Sequence, residues 1–296
     1  MGSCTNATSG DPPEDVPGDR PLPGLWRAVL RPEQLVQDVV RVAYPPTGPL
    51  GRWVEQVWSL AWSRPVPPTS SALITHPTLH LTVEAGPPGE VRHGHTLPAA
   101  LVHGVPVQHR FAPSLPASGW VVGLHLVPGA AADLLGRPAD TLTDQVLRWD
   151  EIWPGWDLDA VWRADGPAGR AEALETEATR VVGDRVPSPD GQRARSVERL
   201  ARTERTLRSV EDLAARVALS PRQLQRLCRT HLGVTPRWLL RRARVLDAHE
   251  LLSSTGASVA EVAAELGWFD QAHLTRDYTA VTGVPPARLR QQRAAT

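Results

Sequence analysis

Leu266-Gly267-Trp268-Phe269-Asp270-Gln271-Ala272-His273-Leu274-Thr275-Arg276-Asp277-Tyr278 decides the fold, because it restates in altered form a pattern met about fifty residues earlier. In the earlier copy, Ser209-Val210-Glu211-Asp212 puts a hydroxyl at a helix N-cap and an acid three residues on, a pair that satisfies the orphan amides of a first turn. The short helix Leu213–Val217 follows, Ala218-Leu219 turns the chain, and Ser220-Pro221 opens a second helix with proline at its first position. That helix runs to about His231 and stops at Gly233. Leu224, Leu227 and Cys228 recur at helical spacing on one face; Arg222, Gln225, Arg226 and Arg229 take the other.

One such helix alone is as well explained by an ordinary solvated face, but the signals repeat. Thr235-Pro236 opens a long helix that ends near Ser253–Gly256, and Ser258-Val259-Ala260-Glu261 is another capping box. After the Gly267-Trp268-Phe269 turn, Asp270 caps a helix with Leu274 and Tyr278 inward and Gln271, His273 and Arg276 outward. Gly283-Val284-Pro285 stops it much as Gly233-Val234-Thr235-Pro236 stops the first. Arginine reads guanine edges, glutamine reads adenine, and further arginines hold phosphates, provided the second helix of each pair faces the major groove.

These two half-motifs, in this order and spacing, resemble the DNA-binding domain of the AraC/XylS family of bacterial transcription regulators. The resemblance covers roughly the last hundred residues. It implies seven helices, with two reading helices joined by a rigid linker helix and set into successive major-groove segments of promoter DNA. Carried over by position, the base-reading candidates are Arg222, Gln225 and Arg226 in the first helix and Gln271, Ala272, His273 and Arg276 in the second, with Arg229 beside the first set. Cys228, Leu274 and Tyr278 stand where phenylalanines are usual, and Ala272 is short.

Charge agrees with that division. The chain has 296 residues, enough for two domains, and a formal net charge of zero, but 18 of its 32 basic residues, all arginine, and only 10 of its 32 acids fall from Gly191 onward. The excess of eight basic charges there is matched by an excess of eight acidic charges before it, so the phosphate-binding face belongs to the C-terminal part. Two cysteines, Cys4 and Cys228, give no disulfide framework and fit a reducing cytosol. No apolar run approaches a membrane span and the start lacks a signal peptide's basic and apolar regions, so a cytoplasmic protein with no membrane partner is expected.

Residues 1–23, rich in Gly, Pro, Ser, Thr and acids, read as a disordered tail. From 24 to 156 the chain reads as β-rich. Val54–Trp62, Ala72–His76, Leu79–Glu84, Leu101–Val107 and Gly119–Val127 alternate or run apolar between turns, which suggests a small β-barrel or sandwich. Residues 157–190 read as a helical connector ending in a linker at Gly183–Asp190, and 191–296 as the double helix-turn-helix. The expected class is α+β. His76–Glu84, Arg110-Phe111, Gly119–Gly123 and Pro128-Gly129-Ala130 resemble the uncharacterised β-rich domain found ahead of AraC-type domains, which implies a cupin-like sensory or dimerisation module.

Of the chemistry that such a module might carry, little is local. His93-Gly94-His95 lacks the glutamate that a metal cupin places shortly after its paired histidines, and coordination needs three or four convergent ligands, so no metal and no cofactor is expected. Nine of the 11 tryptophans precede Gly191; most belong to a core, but Trp53, Trp58, Trp62 and Trp120 are candidates for stacking a flat apolar effector. No Gly-rich phosphate loop, nucleophile elbow or paired catalytic carboxylate is visible, so no catalytic residue is named and no enzyme is expected. The reading is a sequence-specific regulator of transcription, with promoter DNA as partner, a small-molecule effector or a homodimer contact at the N-terminal domain, and RNA polymerase if it activates. The competing reading, a metal-dependent cupin-type enzyme fused to a DNA-binding domain, requires His93 and His95 as ligands.

Overall fold

The computed structural model describes residues 39–65, 76–107 and 117–287. The tail at 1–23, the Ala72–Thr75 part of the first short strand and the Arg110-Phe111 pair lie outside the described residues. Among the described residues there are eight strands: β1 Val39–Tyr44, β2 Val54–Trp62, β3 His80–Ala85, β4 Val91–Arg92, β5 His95–Thr96, β6 Ala99–His103, β7 Gly119–Leu126 and β8 Val146–Arg148. Six form one antiparallel sheet in the order β1-β2-β7-β3-β6-β8, and β4 and β5 make a separate small hairpin. The sheet is open, with β1 and β8 as its edges. Closure into a barrel is not what buries its apolar side.

A helix does that instead, as a one-faced sheet requires. The helices are α1 Ala130–Leu135, α2 Trp149–Ile152, α3 Asp159–Arg163, α4 Gly166–Val182, α5 Pro189–Thr203, α6 Val210–Arg216, α7 Pro221–Leu232, α8 Pro236–Ser254, α9 Val259–Glu265 and α10 Gln271–Thr282. α4 packs across β1, β2 and β7, bringing Ala171, Leu174, Ala178 and Val182 into the same core as Val57, Val122 and Leu124. The alternation of a strand then assigns the other face. Trp58, Trp62, His80, Thr82, Glu84, His103 and His125 share it by register. Gly119 and Gly123 sit opposite Trp62 and Trp58 on that face; a Cβ at either glycine would come within 2.8 Å of the indole.

The apolar core does not stop at the sheet. Residues of the strands, α1, α4 and α5 are continuous with Leu213, Leu224, Leu227, Cys228 and Leu232 of α6 and α7. The contact is fastened at Asp133 of α1, whose carboxylate accepts from the Ser188 amide at 2.8 Å and the Ser188 hydroxyl at 2.8 Å, while Arg185 donates to its carbonyl at 2.9 Å. The backbones of Gly129 and Gly191 meet here; a Cβ on Gly129 would lie 2.4 Å from the Gly191 carbonyl, so only glycine allows the approach. By contrast α9 and α10 close a separate core with the second half of α8, built from Val245, Ala248, Leu252, Val262, Leu266, Trp268, Leu274 and Tyr278.

Candidate nucleic-acid interface

Each reading unit is assembled by its caps. Ser209 and Asp212 exchange side-chain to backbone hydrogen bonds at 3.0 Å in each direction and start α6. Ser220 and Gln223 do the same for α7, and Gly233, at φ 71 and ψ 9, ends it in the left-handed region. With Leu224, Leu227, Cys228 and Leu232 buried, helical geometry leaves Arg222, Gln225, Arg226 and Arg229 exposed on one side of α7. Cys228 fills the core position without cost to the helix: it is fully buried, and burial pushes its thiol up to about 12.

The second unit repeats the first almost feature for feature. Ser258 and Glu261 form a reciprocal capping box on α9, Asp270 accepts from the His273 amide at 2.6 Å to start α10, and Gly283 ends it at φ 84 and ψ −8. Even the turns correspond, since Ala218 at φ 53 and Gly267 at φ 73 both adopt the left-handed conformation between the paired helices. Gln271, Ala272 and Arg276 are exposed on α10. His273 is half-exposed, with Nε2 3.5 Å from Asp277, so it is drawn along the helix toward its own acid.

Tertiary contacts that the sequence did not announce hold α10 in place. Asp277 accepts from the indole N–H of buried Trp268 at 3.0 Å. Arg244 of α8 lies over the same indole, 4.1 Å from its centroid, and donates to the Gly267 carbonyl at 3.0 Å. His249 of α8 pairs with the Tyr278 hydroxyl at 2.7 Å, and burial holds its imidazole down to about 4, so it stays neutral near pH 7. Tyr278, in place of phenylalanine, therefore packs fully and satisfies its hydroxyl as well. The long helix α8 thus carries the first unit at its N-terminal end and braces the second at its C-terminal end.

Two domain families match the chain: a helix-turn-helix domain over residues 213–292, and a domain of unknown function, DUF6597, over residues 42–148. The C-terminal region is an AraC-type helix-turn-helix domain. Over 82 residues the chain is 34% identical to the HTH-type transcriptional regulator GbdR of Pseudomonas aeruginosa, covering 28% of this chain and 22% of that protein. Over 88 residues it is 36% identical to the HTH-type transcriptional activator RhaS of Escherichia fergusonii, covering 30% of this chain and 32% of that protein. The chain therefore spans between about a fifth and a third of these curated relatives. Among solved structures, a probable AraC family transcriptional regulator from Rhodopseudomonas palustris is 27% identical, covers 34% of this chain and 96% of that one, and superposes with a TM-score of 0.32.

Ahead of the AraC-type domain, the other face of the sheet, also largely buried, gathers side chains that spacing alone left scattered. Trp58 and Trp62 lie together on it with Val39 and Val121, and Arg92 stacks on Trp62 at 5.3 Å. Trp120 is on the opposite face, against Trp162 at 5.6 Å and under Arg170 at 4.3 Å, while Trp53 is buried in the main core. The four candidate stacking tryptophans are thus two neighbours and two that point elsewhere. His93 and His95 likewise diverge: His95 Nε2 faces the Val146 carbonyl at 3.0 Å, and His93 packs edge-on against His103 with centroids 5.0 Å apart.

Glu84 is a buried acid of this face with several donors around it. Burial alone would raise its carboxyl, but hydrogen bonds from His103 at 3.1 Å and Thr82 at 2.8 Å, with the charge of His103 behind them, hold it down to about 2. Arg92 completes the set at 3.0 Å. His80 sits beside His103 in register and 4.4 Å, centroid to centroid, from His125, and His125 is 5.4 Å from His76. His76 Nε2 then lies 3.5 Å from Glu198 on α5. A row of imidazoles accordingly crosses the sheet from Glu84 to α5, the helix ahead of the AraC-type domain. The alternation of His80, Thr82 and Glu84 in β3 was the one local signal for it.

Proposed function

We propose that the chain is a sequence-specific DNA-binding regulator of transcription whose N-terminal sheet module controls the AraC-type domain behind it. The observation that carries this reading is the duplication itself: two capped helix pairs, each presenting arginine or glutamine from the exposed side of its second helix, joined by one long helix. Arg222, Gln225, Arg226 and Arg229 contact the first major-groove segment, and Gln271, Ala272, His273 and Arg276 the next. The excess of arginine on this half supplies phosphate neutralisation, so affinity falls steeply with salt.

Promoter DNA is the partner this reading requires. The tryptophan and histidine face of the sheet is the place for a small effector, the same module is the place for a homodimer contact, and an activating role would bring in RNA polymerase. The setting is the cytoplasm; among the described residues no helix is long and apolar enough to cross a membrane. Selection of bound sequences from a random duplex library with the full-length protein tests the proposal. It should recover two elements about one helical turn, roughly 10 base pairs, apart. Binding with no sequence preference, unchanged in an Arg226→Ala, Arg276→Ala double variant, would overturn it.

A further inference from the structure

At the seam between the sheet and α5, three side chains from separate segments converge: Glu55 of β2, His76 just before β3 and His125 of β7. Their potential ligand atoms lie within 4.8 Å of one another. His125 is 1% exposed, yet neither of its ring nitrogens has a hydrogen-bond partner, and the Nδ1 of His76 has none either. Burying a polar nitrogen without a partner is costly, and a native core rarely tolerates two such groups side by side without a reason.

We propose that Glu55, His76 and His125 bind one divalent transition-metal ion of the zinc class. The donor set is two imidazoles and a carboxylate, which suits zinc, cobalt, nickel or iron rather than calcium or magnesium. The spacing fits. Ligand bonds of about 2.0–2.2 Å in a tetrahedron place donor atoms about 3.3–3.5 Å apart, and Glu55 Oε2 is 3.5 Å from His125 Nδ1. Glu198 Oε1 is the same 3.5 Å from His76 Nε2, but it already accepts from Arg202 Nε at 3.2 Å, so Glu198 reaches a fourth position only by giving up that bond. Glu55 is 43% exposed along its side chain and gives the ion an entry path.

Charged groups line the seam on several sides. Arg242, Arg202 and Arg195 face it from α8 and α5, and His80 lies behind His125. Against them stand Glu55 and Glu198, the acids 3.5 Å from His125 and His76. The second three-ligand group, Glu84, His93 and His103, is the weaker candidate, because Arg92, Thr82 and His103 already donate to the Glu84 carboxylate. With Glu198 in the fourth position, the ion would tie the sheet module to the helix that leads into the first reading unit.

The test is a titration of chelator-treated full-length protein with Co2+, followed by its visible ligand-field bands, with Zn2+ added afterwards as competitor. Expected are intense tetrahedral bands saturating at one equivalent, bleached by Zn2+, with affinity lowered at least about tenfold in Glu55→Gln and His125→Asn and unchanged in His93→Asn. If His125→Asn does not fold, Glu55→Gln decides, since its partly exposed side chain is not needed for packing. Saturation that is lost in His93→Asn but not in Glu55→Gln, or no binding below millimolar Co2+, overturns the proposal. Glu198→Gln reports on the fourth position: an unchanged affinity and band shape removes Glu198 from the ligand set.

Discussion

Replacing Gly233 by alanine should damage the seam between the two halves, and Gly136→Ala is its internal control. Both glycines cap helices in the left-handed region, at φ 71 and φ 65. An alanine there costs about 1 kcal/mol or slightly more, partly offset by the smaller entropy of its unfolded chain. A Cβ on Gly136 meets nothing within 4 Å. A Cβ on Gly233 would lie 3.1 Å from the Ala139 carbonyl and 3.1 Å from Thr143 Oγ1, and that same hydroxyl donates to the Gly233 carbonyl at 2.6 Å. Moving Thr143 aside to admit the methyl loses that hydrogen bond, worth about 1 kcal/mol net. Gly233→Ala should therefore be destabilised by about 1–2 kcal/mol more than Gly136→Ala. Urea unfolding followed by tryptophan fluorescence measures the difference. Equal midpoints for the two variants would refute the claim that the cap of α7 bears on the sheet module.

Other outcomes follow from the same contacts. Arg226→Ala should weaken specific binding by about 1–3 kcal/mol and relax the preference at one base position, whereas uniform weakening on all duplexes with a shallower salt slope would make it a phosphate contact. His249, held down to about 4 when folded against 6.5 when unfolded, contributes stability that is complete above pH 6.5, is lost as pH falls, and levels off near 4. The loss amounts to at most about 3 kcal/mol, and His249→Leu should flatten the pH profile of urea midpoints between 6.5 and 4; an unaltered profile would remove His249 as its source. Asp277→Ala strands the buried Trp268 N–H and should cost about 1–3 kcal/mol, read as faster amide exchange confined to α9 and α10. In a Cys4→Ser background the folded chain should resist iodoacetamide, because Cys228 is buried with its thiol pushed up to about 12, and labelling without unfolding would contradict that burial.

What was legible in the sequence was what is local. Capping boxes at Ser209, Ser220 and Ser258, the Asp270 cap and the stop glycines Gly233 and Gly283 all act within four residues, so each could be read and each is in place. The exposed arginines and glutamine of α7 follow from the same periodicity. The sheet was legible only as strands. Its order joins β2 to β7 and β3 to both β6 and β7, and no local signal says that Trp58 lies opposite Gly123 or His80 between His103 and His125. For that reason the HxH pair was the only local group among the domain's histidines, and His76, His80, His103 and His125, which no spacing joins, could not be grouped. The tryptophans were misgrouped for the same cause, since Trp120 and Trp62 belong to opposite faces of one sheet.

The two reading units, alike in their caps and turns, differ in what they rest on. α7 shares its core with the sheet, so Leu224, Leu227 and Cys228 pack in one cluster with Val57, Val122 and Leu124, and Asp133, Gly191 and Thr143 fasten the joint. Among the described residues α10 shares its apolar core with α8 and α9. A disturbance of the sheet's core therefore reaches the first reading helix through continuous packing, whereas it reaches the second through Arg208, packed against the Gly267 turn, and through α8, along which Arg244 and His249 grip Trp268 and Tyr278. That asymmetry puts the first unit in closer contact with the N-terminal module than the second.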